Sequence, residues 1–159
     1  MDYPKKIFRI LFITYCIVML WLLFGQRAVF WSLDDYLHRL KENVNLIPFR
    51  TISNYLKYIS NSSGLATTKQ AIINLIGNIV MFIPLGFLLP FNLPKTQKFV
   101  WCILVSAGLI LCVEIIQLFM LLGSFDVDDL IFNIIGAIAG YVCYLIYCKL
   151  RQKKSIRRN

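Results

Sequence analysis

Four long runs of apolar residues dominate the pattern along the chain, at about 7–25, 72–91, 99–122 and 130–148. An apolar helix of roughly 20 residues spans the hydrocarbon core of a bilayer, about 30 Å thick, because each residue advances the helix by about 1.5 Å. A soluble protein would have to cover four helices that are apolar on every face, and the remaining polar sequence is too short for that. The pattern therefore predicts an all-α, polytopic membrane protein with four transmembrane helices, in a single domain over residues 1–159.

The basic residues are concentrated on one side of this predicted topology, in a chain whose net charge is +9. Three of them lie before or at the start of the first run, two lie in the short 92–98 turn and six follow the last run, whereas the 123–129 loop has none. Because basic residues near span ends are retained in the cytoplasm, both termini are predicted to be cytoplasmic, in a bacterial cell membrane. Membrane lipids are the partner that this distribution indicates, and a nucleic-acid partner is not expected.

The first apolar run follows basic residues, as the apolar region of a signal peptide does. It continues from Ile7 to Phe24 and ends without a clear small-x-small cleavage site. We therefore expect an uncleaved first transmembrane helix.

The segment 26–71 mixes charged and apolar residues and is the longest part of the chain outside the predicted spans. Residues 33–42 fit an amphipathic helix that lies in the membrane interface. Pro48 fixes its own backbone and disfavours a helical conformation at Ile47, so residues 45–49 are predicted to form a turn. We therefore expect an outer interfacial or re-entrant segment between the first two transmembrane helices.

Polar side chains inside the apolar runs are the most informative residues, because a charge near the bilayer centre costs about 2.5–3.5 kcal/mol on insertion scales. They form three pairs, each on one helix face: Asn74 with Asn78, Glu114 with Gln117, and Asp129 with Asn133. At about 1.5 Å per residue, all six lie within roughly 12 Å of the predicted outer boundary. We therefore predict one polar pocket that opens to the outside, with Arg39 or Arg50 of the outer loop as a counter-charge.

Two interpretations of these pairs remain open. Interhelical hydrogen bonds that serve packing alone average about 0.6 kcal/mol in membranes, and they explain an asparagine pair without any function. Alternatively, Glu114 is a functional carboxyl group and the amides orient a ligand. The spacing of Gly136 and Gly140 also lets two helices approach closely, within one chain or between two copies, so a homo-oligomer is an open possibility.

The acidic residues Asp126, Asp128 and Asp129 also have two interpretations. Their carboxylate oxygens suit a divalent cation. They equally suit the cap and first turn of a helix, where negative charge is stabilised. The five cysteines lie in or at the end of the apolar runs, without the spacing of metal ligands. We therefore predict no metal and no cofactor.

Three stretches of the sequence resemble the VanZ-like family of membrane proteins. They are the turn at 45–49, most of the second predicted helix from Asn74 to Leu89, and the pattern formed by Glu114, Gln117, Asp126, Asp129, Asn133, Gly136 and Gly140. Their order and spacing also match. One departure is the sequence Gly123-Ser124-Phe125, in a loop where the family often has an arginine. A charge partner for Asp129 or Glu114 then has to come from elsewhere.

The resemblance implies a role in the cell envelope, including resistance to glycopeptide antibiotics, since the founding member of the family is associated with teicoplanin resistance. It also implies that the motif residues line a shared site. These residues are Asn45, Pro48, Asn78, Pro84, Glu114, Gln117, Asp126, Asp129 and Asn133.

Three functions are compatible with these observations. The first is a non-enzymatic resistance factor that limits the access of a lipid-tailed glycopeptide to its targets at the outer membrane face. The second is a membrane enzyme that modifies a lipid-linked envelope intermediate, with Glu114 as general acid/base. The third is a small transporter or assembly subunit with Glu114 as a proton-linked group. The corresponding ligand is a lipoglycopeptide or a lipid-linked envelope precursor.

Overall fold

The computed structural model describes residues 5–25, 32–50, 52–53 and 65–156. Its elements, in chain order, are α1 (Lys5–Phe24), α2 (Leu33–Glu42), β1 (Val44–Asn45), α3 (Leu65–Asn92), a 3₁₀ turn (Pro94–Gln97), α4 (Phe99–Phe119), β2 (Phe125–Asp126) and α5 (Val127–Ile156). Helices α1, α3, α4 and α5 are long and apolar enough to cross a bilayer. The predicted all-α fold with four spans is confirmed, and the chain is a multi-pass membrane protein.

The four spans give the bundle two chemically different ends. One end carries α2 and the parallel pair of β1 with β2, and we call it the loop end. The other end carries the start of α1, the 3₁₀ turn and the basic end of α5, and we call it the basic end. Large apolar side chains such as Trp21 and Ile10 are exposed along the spans, as expected for surfaces that face lipid.

The helix ends differ from the ends of the apolar runs, because an apolar run marks the part of a helix that lies in hydrocarbon. Helix α3 begins seven residues before position 72, and α5 continues eight residues beyond position 148. Helix α4 ends at Phe119, although the apolar run continues to Leu122. Leu121 has a φ of 50°, and the amides of Leu121 and Leu122 donate to the carbonyls of Leu118 and Gln117. These bonds form a Schellman motif, which normally has glycine at the position of Leu121.

Helices α3 and α5 approach until their backbones touch, at three glycines. A Cβ on Gly136 would overlap the carbonyl of Ile79, and one on Gly140 would overlap the carbonyl of Ile83. A Cβ on Gly86 of α3 would overlap the carbonyl of Ala137 in return. The glycine pair predicted to allow close helix contact therefore packs against α3 of the same chain.

Contacts with α3 and α5 hold helix α1 in the bundle, beginning at the basic end. The ring of Phe8 stacks on Phe91 of α3, with the ring centroids 3.8 Å apart, and meets Tyr147 of α5 edge-on. The Asn92 side-chain amide also donates to the Phe8 carbonyl over 3.4 Å. Farther along α1, the Tyr15 hydroxyl donates to the carbonyl of Met81 over 3.0 Å. The first apolar run is thus a packed member of the bundle.

We predict that Gly140→Ala destabilises the protein by about 1–3 kcal/mol, because the added methyl group forces the α3 and α5 backbones apart. Thermal unfolding in detergent micelles, followed by circular dichroism, measures the change. Gly108→Ala is the matched control, because a Cβ at Gly108 of α4 meets no atom within 4 Å. Equal unfolding temperatures for the two variants would show that the close contact does not limit stability.

Candidate functional site

A buried pair of polar side chains joins α4 to α5 below the loop end. The Asn133 side-chain amide donates to Glu114 Oε1 over 3.0 Å. Only 2% of Asn133 and 8% of Glu114 is exposed. The other amide atom, Asn133 Oδ1, is also buried and has no hydrogen-bond partner among the described residues. The carboxyl group thus has a neutral partner, and the amide keeps one acceptor for another donor.

A second pair of the same kind lies one helical turn nearer the loop end. The Asn78 side-chain amide of α3 donates to Asp129 Oδ1 of α5 over 2.6 Å. Asp129 also lies close enough to Glu114 for the two carboxyl groups to interact electrostatically. The two pairs therefore form one polar layer that links α3, α4 and α5.

A third pair connects this layer to the loop between α1 and α3. The Asn45 side-chain amide donates to Asp126 Oδ2 over 3.1 Å. The two residues are also partners in the parallel pairing of β1 with β2, where Val44 pairs with Phe125. The amide of Phe125 donates to the carbonyl of Asn43 over 2.8 Å. Side chain and backbone together hold the loop against the start of α5.

Asp128 fixes the next part of that loop. Its carboxylate accepts the amide of Phe49 over 2.5 Å and the amide of Ile52 over 3.3 Å. Phe49 has a φ of 63°, a left-handed conformation that non-glycine residues rarely adopt, so the hydrogen bond holds a strained backbone in place. Asp128 is 1% exposed. This carboxylate is a structural clamp on the loop, a role that the sequence pattern did not distinguish from metal binding.

The acidic segment at the start of α5 is occupied by protein donors. Asp126 Oδ1 accepts the backbone amide of Asp128 over 2.8 Å, as in a helix cap. In the part of the chain that the structure describes, no three His, Cys, Asp or Glu side chains are grouped as metal ligands would be. Of the two interpretations of this segment, the observed contacts correspond to the helix cap.

A cleft of about 380 Å³ lies between α3 and the start of α5, and we call it the Asn–Asp cleft. Its polar lining consists of Asn74, Asn78, Ser124, Asp126 and Asp129. Apolar residues of α3 complete the wall, and no basic side chain contributes to the lining among the described residues. The cleft therefore offers carboxylate and amide oxygens, which suit a ligand rich in N–H and O–H donors.

The structure brings most of the predicted site residues together in or beside the Asn–Asp cleft. Glu114 and Asn133 lie behind it, because they are buried and bonded to each other. Asn45 supports the wall through Asp126. The sequence pattern did not single out Ser124, whose small polar side chain lines the cleft.

Five of the predicted residues lie away from the cleft, and one of them is Arg39 of α2. The Gln117 side-chain amide donates to the carbonyl of Leu23 at the end of α1 over 3.2 Å. Pro48 and Arg50 are exposed in the loop, and Pro84 lies inside α3. Within the described ranges, the Arg50 guanidinium makes no ion pair with an acidic side chain. The observed partners of Glu114 and Asp129 are the side-chain amides of Asn133 and Asn78.

We predict that Asn78 and Asp129 are energetically coupled by about 0.6–1.7 kcal/mol, the range found for interhelical hydrogen bonds in membranes. A double-mutant cycle with Asn78→Ala and Asp129→Ala, measured by reversible unfolding in mixed micelles, gives this coupling energy. Cys143→Ala combined with Asp129→Ala is the control, because Cys143 lies about 21 Å farther along α5 and the effects should add. A coupling energy near zero for the Asn78 pair would contradict the hydrogen bond.

We also predict that Asp128→Ala accelerates hydrogen exchange at the amides of Phe49 and Ile52, because both lose their acceptor. Exchange measured by mass spectrometry or NMR in micelles tests this. Asp34→Ala removes an exposed acidic residue from the first turn of α2 and should leave exchange at these two amides unchanged. Unchanged exchange in Asp128→Ala would rule out the clamp.

Comparison with known proteins places these residues in a family. The family model described as VanZ/LLP1 matches residues 12–148, which include every residue of the Asn–Asp cleft. The chain is also 28% identical over 158 residues to Protein VanZ of Enterococcus faecium, in an alignment that covers 97% of this chain and 83% of that protein. No solved structure matches the chain. The chain therefore belongs to the VanZ/LLP1 family of proteins.

Proposed function

We propose that this protein supports resistance to glycopeptide and lipoglycopeptide antibiotics such as teicoplanin, by limiting drug access at the outer face of the bacterial cell membrane. The observation that carries the proposal is the Asn–Asp cleft, a polar cavity at one end of a membrane-spanning bundle. Membership of the VanZ/LLP1 family supports the resistance role.

The proposal includes an orientation with the loop end outside and both termini in the cytoplasm. Lys5, Lys6 and Arg9 of α1 line a cavity of about 270 Å³ at the basic end, together with residues of α3 and the 3₁₀ turn. Lys153 and Lys154 lie in the last turn of α5 at the same end. Such a concentration of basic residues is typical of the cytoplasmic side of a membrane protein.

The charge of the cleft favours a glycopeptide over a lipid diphosphate as the ligand. The lining contains the carboxyl groups of Asp126 and Asp129 and no basic side chain among the described residues. A glycopeptide presents sugar hydroxyls and peptide N–H groups, which donate hydrogen bonds to carboxylate and amide oxygens. A diphosphate headgroup is anionic and would be repelled by the same carboxylates unless a cation came with it.

The observed position of Glu114 does not favour the enzyme hypothesis over drug binding. A general acid/base needs to come within hydrogen-bond reach of the substrate. Glu114 is buried, is bonded to Asn133 and is absent from the lining of the cleft. The enzyme and the transporter remain alternative hypotheses, and the experiment below separates the enzyme from drug shielding.

We predict that Asp129→Asn abolishes most of the teicoplanin resistance in cells that express the protein. A charge-assisted hydrogen bond contributes about 1.5–3 kcal/mol, so its loss weakens ligand binding by roughly tenfold or more. Susceptibility to teicoplanin and to vancomycin, at equal protein levels, measures the effect. Asp34→Asn is the control, because it removes an exposed carboxyl group outside the cleft.

The two drugs and one further variant separate the hypotheses. Shielding of a membrane-associated drug requires a larger effect on the lipid-tailed teicoplanin than on vancomycin, and equal protection against both contradicts it. Full resistance from Asp129→Asn would remove the cleft from the mechanism. Mass spectrometry of lipid-linked intermediates tests the enzyme hypothesis. If the protein changes the lipid pool and Glu114→Gln abolishes that change, the function is catalysis and not drug shielding.

A further inference from the structure

Three large apolar side chains project from the loop end, in a segment that we call the 46–49 tip. Leu46, Ile47 and Phe49 are 63%, 58% and 61% exposed. Pro48 between them is exposed as well. The backbone of this tip is held firmly, because Phe49 donates to the buried Asp128 carboxylate and Asn45 is tied to Asp126. A rigid loop that presents adjacent apolar side chains indicates a surface that binds an apolar partner.

The contacts of the tip fix its height relative to the membrane. Asp128 lies in the first turn of α5, two residues before the apolar run of that helix begins at about position 130. The tip is therefore attached at the level where α5 enters the bilayer.

Two basic side chains at the loop end complement the phosphates of lipid headgroups. Arg50 directly follows the tip and is exposed. Lys69 of α3 is exposed and lies three residues before Ile72, where the membrane-spanning part of α3 begins. Basic side chains at this height bind anionic headgroups, while neighbouring apolar side chains reach the acyl chains.

We propose that the 46–49 tip inserts Leu46, Ile47 and Phe49 into the bilayer, with Arg50 bound to lipid phosphate. The occupant of this surface is lipid and not a second copy of the chain. A stable dimer needs about 800 Å² from each partner, whereas even a large aromatic side chain buries only about 150–250 Å². Three partly exposed side chains fall short of that area.

Insertion of the tip has a consequence for the Asn–Asp cleft. Asn45 precedes the tip and holds Asp126, which is part of the cleft lining. A tip anchored in lipid therefore holds one wall of the cleft at the level of the headgroups. This inference concerns membrane contact, so it stands whether or not the protein confers drug resistance.

Fluorescence quenching by lipids with brominated acyl chains tests the proposal. Trp21, Trp31 and Trp101 are first replaced by phenylalanine in the full-length chain, and Phe49→Trp then supplies a single probe. Vesicles of phosphatidylcholine and phosphatidylglycerol, with and without bromine, receive the purified protein. Strong quenching at position 49 is expected. Leu46→Trp is the second probe, should the change at Phe49 prevent folding.

Glu42→Trp in the same background is the matched control. Glu42 is the last residue of α2, at the same end of the bundle. It lies nine residues, or about two and a half turns, after Leu33, so it is on the opposite, polar face of that helix. Quenching at position 42 should be several-fold weaker than at position 49. Equal quenching at the two positions, or none at 46 and 49, would overturn the proposal.

Cysteine labelling distinguishes lipid from a second copy of the chain. The five cysteines of the chain are first replaced by alanine. Ile47→Cys and Glu42→Cys in this background are treated in vesicles with a membrane-impermeant maleimide, and Glu42→Cys should react several-fold faster. A disulfide-linked dimer of Ile47→Cys in vesicles would assign the tip to a protein interface and overturn the lipid contact.

Discussion

The backbone contact between α3 and α5 is the constraint on which the site depends. Glycines at the contact let the two helices approach so closely that only one register is compatible with the packing. That register sets Asn78 of α3 opposite Asp129 of α5. Lipid tails are as apolar as the helix faces, so helices gain little free energy by leaving lipid for one another. Packing and hydrogen bonds therefore hold them together in a membrane. Here both act on the same pair of helices.

The polar layer connects the packed helices to the loop between α1 and α3. Each carboxyl group in it is bonded to a neutral amide, and each bond joins two different elements. An unpaired carboxylate at this depth would raise the free energy of the folded protein in the membrane. Hydrogen bonds from the amides lower that free energy, so the bundle can contain several acidic side chains. The same arrangement leaves the Asn–Asp cleft rich in acceptors, because neutral partners do not cancel the charge as an arginine would.

Much of this fold could be predicted from the sequence, because apolar runs and amphipathic spacing report directly on helices in lipid. The Schellman motif at the end of α4 could not be predicted, because Leu121 occupies the position where a glycine normally signals this motif. Gln117 shares a helix face with Glu114, yet it bonds the carbonyl of Leu23, which the end of α1 leaves without a partner in its own helix. Asp128 was ambiguous because its partners, two backbone amides, carry no sequence signature.

Helix α5 connects both faces of the membrane through one continuous element. It runs for 30 residues, or roughly 45 Å at about 1.5 Å per residue. Its first turn carries the carboxylate that clamps the loop, and its last turn carries Lys153 and Lys154. A displacement of the basic tail along the helix axis therefore moves the clamp with it. The loop on one side of the bilayer and the charged tail on the other are therefore mechanically coupled through one continuous helix.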